Sequence, residues 1–260
     1  MSDDLQVERS GSVATLTLNR PESRNAIRLE MYRDLPAILR GIDEDPLVKV
    51  LVVRGAGTKA FAAGADISEF RDVRADAESA RSYNEQVAAA EHALEDMAKP
   101  TVAMVHGYCV GGGCGLALAC DLRFCDTAAR FAITPAKLGL VYSLESTRRL
   151  VDLVGPAQAK WILFSGGQVD AGHALRTGLA DVVAEPDELA EQTYGFAELV
   201  GTRAQFSVRA AKEIVRRIVA GQRADDEETT DLRNSSFDTE DYAEGVRAFL
   251  EKRPPRFTWS

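Results

Sequence analysis

The stretch that decides the fold runs from Lys99 to Asp121 and reads KPTVAMVHGYCVGGGCGLALACD. Its first part, Thr101 to His106, is a short apolar run typical of a buried strand. Three consecutive glycines, Gly111 to Gly113, then open an apolar segment of helical length. The order of strand, glycine turn and helix is typical of an α/β protein, in which backbone N–H groups at the helix start can approach a ligand closely.

A second strand and turn precede this stretch. Val48 to Arg54 (VKVLVVR) predicts a buried strand that stops at Gly55, and Phe61 to Ile67 (FAAGADI) predicts the turn. Two such turns after two strands could place two N–H donors side by side, as in an oxyanion hole. Close packing of a helix on a strand would explain the same glycines. The spacing fits neither a G-x-G-x-x-G dinucleotide motif nor a Walker A loop, so a nicotinamide dehydrogenase is disfavoured.

Strands and helices alternate over the first part of the chain, which predicts an α/β domain with largely parallel pairing over residues 1–190. A helical region follows over 191–260. Further strands are predicted at Val13–Leu18, Leu122–Cys125 and Ala180–Val183. Helices are predicted at Ile27–Glu44, Ala75–Met97, Gly113–Ala119, Ser146–Leu153, Glu188–Val200, Ala204–Ala220, Glu227–Phe237 and Thr239–Glu251.

Composition excludes several classes of protein. The 260 residues carry a formal net charge of −9, which argues against general nucleic-acid binding. No apolar run approaches the length of a membrane span, and the acidic start, Met1 to Gln6, is unlike a signal peptide, so we expect a cytoplasmic protein without membrane contact. The three histidines and four cysteines lack metal-binding spacing, so no metal site is predicted and the cysteines are expected to be reduced and packed.

Four segments together resemble the enoyl-CoA hydratase/isomerase family, the crotonases. They are Asn19–Ile27 (NRPESRNAI), Phe61–Ile67, Lys99–Asp121 and Phe249–Phe257 (FLEKRPPRF), in the family's order and spacing. The resemblance implies a crotonase-like spiral of ββα turns with a C-terminal helical trimerisation region, assembled as a homotrimer or a dimer of trimers (a hexamer). It also implies an acyl-CoA thioester of fatty acid metabolism as substrate, with coenzyme A as part of that substrate and no separate cofactor.

The resemblance assigns the oxyanion donors to the backbone N–H groups of Ala65 and Gly112, which would hold the thioester oxygen as it becomes an enolate. Coenzyme A contacts would fall at Arg24 and Lys59, with Lys252 reaching a neighbouring subunit. The adenine and pantetheine path would be lined by Ala26, Ala63, Asp66 and Ile67. Each basic residue could equally be a solvated surface charge, and Asp66 could simply cap a helix.

The chain departs from the family at two positions. Family hydratases carry one glutamate two residues after the glycine triplet and another after a proline further on, where this chain has Gly115 and Ala136. Neither residue can move a proton, so hydration by two glutamates is not available. We therefore expect isomerase- or lyase-type chemistry through an oxyanion-stabilised enolate.

Candidate acid/base groups lie in the stretch Leu138 to Leu150, which the resemblance places beside the acyl group. Tyr142 and Glu145 are predicted to reach the acyl group, although Tyr142 could be ordinary packing and Glu145 a favourable charge at a helix start. Thr134 and Tyr142 also resemble residues of the methylmalonyl-CoA decarboxylase branch, which has a histidine in place of Ala65. Decarboxylation of a malonyl-type thioester and a catalytically inactive acyl-CoA-binding protein therefore remain the alternatives.

Overall fold

The computed structural model describes residues 3–73 and 76–258. In this part of the chain the strands are Leu5–Ser10 (β1), Val13–Leu18 (β2), Val50–Gly55 (β3), Ala60–Ala62 (β4), Thr101–Val105 (β5), Tyr108–Val110 (β6), Leu122–Asp126 (β7), Arg130–Ala132 (β8), Gln168–Asp170 (β9) and Val182–Ala184 (β10). The helices are Leu29–Glu44 (α1), Phe70–Val73 (α2), Ala77–Glu95 (α3), Gly112–Ala119 (α4), Pro135–Leu138 (α5), Leu144–Ser165 (α6), Ala171–Thr177 (α7), Leu189–Gly201 (α8), Gln205–Val219 (α9), Glu227–Ser235 (α10) and Glu240–Leu250 (α11).

The strands form two sheets that the chain visits in turn. The larger sheet has the order β1-β2-β3-β5-β7-β10 and is parallel except for the hairpin β1–β2. The smaller sheet has the order β4-β6-β8-β9. A long strand of the first sheet, a short strand of the second and then a helix recur three times, beginning at β3, β5 and β7. This is the predicted spiral of ββα turns.

Both faces of the larger sheet are covered, which explains why its central strands are continuously apolar. Alternate residues of β3 belong to different cores: Leu51 and Val53 pack with α1 and α3, whereas Val50 and Val52 pack with α8. Helix α8 begins at residue 189, next to the predicted domain boundary, and contributes Leu189 to the core beneath the sheet. The first helix of the C-terminal region is therefore part of the α/β core.

Two expectations from composition, on membrane spans and on the cysteines, can be compared with the structure. None of the described helices is long and apolar enough to cross a membrane. All four cysteines are free and buried, and burial raises the pKa of Cys120 and of Cys125 to about 12. Such thiols stay protonated and pack like small apolar side chains.

Helix α6 is the largest departure from the predicted elements. The expected helix, Ser146–Leu153, is only the first part of a segment that runs from Leu144 to Ser165. Gly155 interrupts it with φ of 74°, a conformation that favours glycine, and Pro156 then begins the second part. The predicted helix therefore ends two residues before this break, and the chain resumes its helix immediately after it.

The turn before α1 is organised by Asn25. This residue is buried and has φ of 56°, in the left-handed region where Asn is tolerated better than most residues. Its side-chain amide donates to the carbonyls of Ala56 (3.1 Å) and Ala60 (2.8 Å) and accepts from the N–H of Arg20 (3.0 Å). The amide thus ties the segment Asn19–Ile27 to the connection between β3 and β4.

We predict that Asn25→Ala lowers the free energy of unfolding by about 2–4 kcal/mol, because buried carbonyls lose their donor and alanine tolerates the left-handed backbone conformation less well than asparagine does. Urea unfolding followed by circular dichroism measures the loss. Asn234→Ala is the control, since Asn234 is exposed in α10 and its side chain makes no hydrogen bond among the described residues. Equal stability of the two variants would contradict the role of the Asn25 amide.

Candidate active site

Parallel pairing of two short strands brings the predicted oxyanion donors together. Strand β4 pairs with β6, and Ala62 lies opposite Cys109. Three residues after each of these two positions comes a predicted donor: Ala65 follows Ala62, and Gly112 follows Cys109. A Cβ added at Gly112 would lie 3.7 Å from the Ala65 nitrogen, so the two backbone segments are adjacent.

The hydrogen bonds around these residues leave both N–H groups unused. The Ile27 N–H donates to the Gly64 carbonyl (2.8 Å), and the Ile27 carbonyl accepts from the Asp66 N–H (2.9 Å). In this parallel pairing the backbone N–H of Ala65, which lies between these two residues, points away from Ile27. Gly112 is the first residue of α4, where N–H groups have no acceptor within the helix. Across residues 3–73 and 76–258 nothing accepts a hydrogen bond from either N–H. Together they form a donor pair at the positive end of a helix.

A cavity of about 380 Å³ opens next to this donor pair. Its wall includes Ala65 and Gly112, and its remaining lining is mainly apolar. Exposed apolar side chains border its mouth; they are Ile67, Leu138, Leu140 and Val141. The combination of an apolar cleft and a few directed polar groups is typical of a small-molecule site.

Glu91 is the one carboxylate among the described residues that line this cavity, and sequence reasoning missed it. It projects from α3, and its side chain is only 4% exposed. Its Oε2 accepts hydrogen bonds from the Ser146 hydroxyl (2.7 Å) and the Arg149 guanidinium (2.6 Å), both on α6. Burial raises the pKa of Glu91, although Ser146 and Arg149 oppose the shift.

The absence of a side chain at residue 115 makes room for the Glu91 carboxylate. A Cβ added at Gly115 would run into Glu91 Oε1. The resemblance implies a glutamate at position 115 in hydratases; here the carboxylate beside residue 115 comes from another helix, α3. At the second glutamate position, Ala136 is exposed and does not line the cavity.

Tyr142 lines the cavity next to Glu91, as the sequence led us to expect. Its hydroxyl is buried and has no hydrogen-bond partner among the described residues. Burial, together with the negative charge of Glu91, raises the pKa of Tyr142 well above its usual value, while the nearby Ser146 opposes the shift. The phenol is therefore neutral at ordinary pH and has a hydrogen bond to donate.

Glu145 is not among the described residues that line the cavity, contrary to the expectation that it reaches the acyl group. Its side chain is 48% exposed and pairs with His92 (3.0 Å) on the outer side of α3. Ser146 and Arg149 take the inward-facing positions of α6 instead. Successive residues of a helix point about 100° apart, so Glu145 and Ser146 cannot share a direction.

The predicted coenzyme contacts are only partly brought together. Arg24 and Lys59 are exposed and both adjoin Tyr108 of β6: the Arg24 guanidinium lies 5.4 Å from its ring centroid, and the Lys59 carbonyl accepts from its N–H (3.2 Å). The Arg24 carbonyl also accepts from the N–H of Ala63, which lines the cavity (2.9 Å). Arg24 therefore lies next to the cavity wall at Ala63, whereas the contact of Lys59 with Tyr108 is made by its backbone.

The other predicted contacts differ in position. Ile67 and Thr134 line the cavity, and Ala26 lies in the turn next to it. The Asp66 carboxylate accepts from the Ser68 N–H (3.1 Å) and pairs with Arg20 (2.8 Å), as the capping alternative predicts; a contact of this residue with the coenzyme stays a prediction. Lys252 is exposed beyond α11 and does not line the cavity of its own chain; its contact with a neighbouring subunit stays a prediction.

Comparison with known proteins agrees with the fold. The model of the enoyl-CoA hydratase/isomerase family matches residues 8–259. A crotonyl-CoA hydratase of Syntrophomonas wolfei is 32% identical over 98% of both chains. Among solved structures, a protein of Hyphomonas neptunium assigned to this family has a TM-score of 0.96 and 39% identity, covering 99% of this chain and 98% of its own. An enoyl-CoA hydratase/carnithine racemase of Magnetospirillum magneticum has a TM-score of 0.95 and 36% identity, covering 99% and 96%.

The chain therefore belongs to the enoyl-CoA hydratase/isomerase family, and the predicted crotonase-like α/β fold is confirmed.

We predict that Gly115→Ala lowers the free energy of unfolding by about 1–3 kcal/mol, because the new methyl group displaces the buried Glu91 carboxylate. The control is Gly195→Ala in α8, where a Cβ has open space. That change raises stability by about 0.5–1 kcal/mol, the usual gain for alanine in a helix. Thermal unfolding compares the two. If Gly115→Ala were as stabilising as Gly195→Ala, the carboxylate would not lie against residue 115.

Proposed function

We propose that the protein is an enzyme that binds an acyl-CoA thioester and moves a double bond in its acyl chain through an enolate. The observation that carries the proposal is the pair of unused N–H groups, Ala65 and Gly112, in the wall of an apolar cavity. An enolate places its negative charge on the thioester oxygen, and two fixed donors stabilise that charge more than they stabilise the neutral carbonyl. The relatives named as crotonyl-CoA and enoyl-CoA hydratases support a thioester of coenzyme A as substrate.

The charges near the cavity support this substrate class. Coenzyme A is polyanionic, whereas the protein has a net charge of −9, so local cations must offset the repulsion. Arg24 and Lys59 would meet the phosphates, and the apolar mouth near Ile67 and Leu138 would take the pantetheine and the acyl chain. Lys252 is assigned by resemblance to a neighbouring subunit of a homotrimer or a dimer of trimers.

The acid/base groups that line the cavity fit isomerisation better than hydration. Addition of water requires one group to activate the water and another to protonate the α-carbon. Gly115 and Ala136 supply neither, and a single carboxylate lines the cavity among the described residues. One carboxylate is enough to carry a proton from one carbon of the acyl chain to another.

A second candidate is decarboxylation of a malonyl-type thioester. Tyr142 favours it, because a buried neutral phenol could donate to the departing carboxylate. However, the Glu91 carboxylate in the same wall would repel a second negative charge. We therefore rank decarboxylation below isomerisation.

The decisive experiment is incubation of the protein with saturated, 2-enoyl, 3-enoyl, dienoyl and malonyl-type CoA thioesters, with products identified by mass and absorbance. We expect a 3-enoyl-CoA to change its absorbance without a change in mass. Gain of one water would indicate hydration, and loss of carbon dioxide would indicate decarboxylation. Calorimetric binding without any product would instead support the inactive acyl-CoA-binding alternative.

We predict that Gly112→Ala reduces kcat/KM by about 10²- to 10³-fold, the usual effect of losing one oxyanion donor. Its Cβ would meet the Tyr32 hydroxyl, and the resulting shift moves the Gly112 N–H out of line with that of Ala65. Gly41→Ala in α1, where the added Cβ has open space, is the control. Circular dichroism verifies folding of both variants. Full activity of a folded Gly112→Ala variant would contradict the assignment of the donor pair.

A further inference from the structure

We infer that Glu91, delivered by α3 into the space left open by Gly115, is the catalytic carboxylate that carries the proton in the proposed isomerisation. The inference rests on the proposed function. It assigns the base to a helix and a position other than those of the family glutamates described above. It also replaces Glu145, which the sequence favoured.

The first support is the position of the carboxylate in the cavity. Glu91 lines the same cavity as Ala65, Gly112 and Tyr142. A Cβ at residue 115 would overlap Glu91 Oε1 and would lie 3.4 Å from the Tyr142 hydroxyl. The carboxylate and the phenol therefore border one small volume next to the oxyanion donors.

The second support is that the two oxygens of the Glu91 carboxylate differ in their hydrogen bonding. Oε2 receives both hydrogen bonds, from Ser146 and Arg149, and is held by α6. Oε1 receives none from the described residues and is the atom next to Gly115. One oxygen therefore fixes the orientation of the group while the other is available to accept a proton.

The third support is electrostatic. Arg149 is shared between Glu91 and Glu95, and Glu95 also pairs with Arg148. Arg149 thus only partly neutralises Glu91, and burial raises the pKa of Glu91. A carboxylate of raised pKa is a stronger base than an ordinary surface glutamate and takes a proton from carbon more readily, while its protonated form can still return that proton to the dienolate.

The proton transfer balances without another reactant. Glu91 Oε1 takes a proton from the acyl carbon next to the double bond, and the electron pair of that C–H bond moves through the conjugated system to the thioester oxygen. The N–H groups of Ala65 and Gly112 hold the resulting dienolate. Glu91 then returns the proton to the other end of the system, and the carbonyl re-forms. The neutral Tyr142 hydroxyl is placed to donate a hydrogen bond within the same volume.

Exchange of the α-protons of a saturated acyl-CoA in D₂O tests the carboxylate independently of the final reaction. The assay uses butyryl-CoA and the full-length protein, with deuterium uptake followed by mass spectrometry and binding measured by calorimetry. We expect Glu91→Gln to reduce exchange by about 10²- to 10⁴-fold, the usual contribution of a general base, while butyryl-CoA still binds. Glutamine has the same shape and can still accept from Ser146 and Arg149, so folding is preserved.

The matched control is Glu95→Gln, one turn further along α3. Glu95 also contacts Arg149 but does not line the cavity. We expect this change to alter exchange no more than severalfold. A carboxylate should also work from residue 115, so Glu91→Ala/Gly115→Glu should exchange faster than Glu91→Ala. A folded double variant no faster than Glu91→Ala would count against the assignment.

The pH profile separates a proton carrier from a merely structural residue. Exchange in the wild type should fall on acidification through the raised pKa of Glu91, above the ordinary glutamate value of 4.5, because the protonated carboxyl cannot accept a proton. The Glu91→Gln variant should lack this acidic limb. Charged or titratable groups around Glu91 and Tyr142 are Arg149 on α6, His92 and Glu95 on α3, Cys114 on α4 and Tyr32 on α1.

The outcomes distinguish the two proposals. If the wild type neither exchanges nor converts any thioester of the panel, the proposed function is wrong, and the role of Glu91 is overturned with it. If the wild type is active and Glu91→Gln keeps its rate, the proposed function stands and only the role of Glu91 is overturned. The same holds if Glu145→Gln abolishes exchange and Glu91→Gln does not.

Discussion

The parallel pairing of β4 with β6 is the constraint on which the candidate site depends. Both strands are only three residues long, and their register places the two following turns side by side. Helix α4 must then start directly over β4, where a Cβ at Gly113 would come within 2.6 Å of the Ala62 Cβ. Glycine at this position therefore permits both the close packing and the exposure of the Gly112 N–H. The packing and functional explanations of the glycine triplet are thus two aspects of one arrangement.

A buried charge completes this arrangement. The carboxylate of Glu91 lies between α3, α4 and α6, and an unpaired carboxylate there would be strongly destabilising. Arg149 offsets the charge, and Arg149 is itself held by Glu95. The net charge of −9 therefore says little about the site, because the relevant charges are the buried pair at Glu91 and the exposed cations Arg24 and Lys59.

Much of the fold could be predicted because long elements carry a periodic pattern. The strand Val13–Leu18 has the predicted bounds, and α1 and α3 begin within two residues of their predicted starts. The four strands of the smaller sheet could not be predicted, because three residues show no periodicity and gain their order only from neighbouring strands. The first strand, Leu5–Ser10, is an exposed edge with a single buried residue, so its hydrophobic signal is weak.

The sequence did not predict which carboxylate lines the cavity. Glu145 follows the turn that contains Tyr142, so proximity along the chain favoured it. Glu91 is 24 positions away from Gly115, and its signal in the sequence was only a polar residue in an amphipathic helix. The sequence showed that position 115 has no glutamate, but it did not show that Glu91 supplies a carboxylate there.

The sequence by itself determined the family, the ββα order and the two turns that carry the donor pair, because glycine requirements and strand patterns are local properties of the chain. Only the tertiary structure decided which acid enters the cavity. That choice depends on how α3 and α6 are rotated about their axes when they pack against α4, which turns Glu91, Ser146 and Arg149 inward and Glu145 outward. Rotation of a packed helix follows from contacts between residues distant in the chain, and no local pattern encodes it.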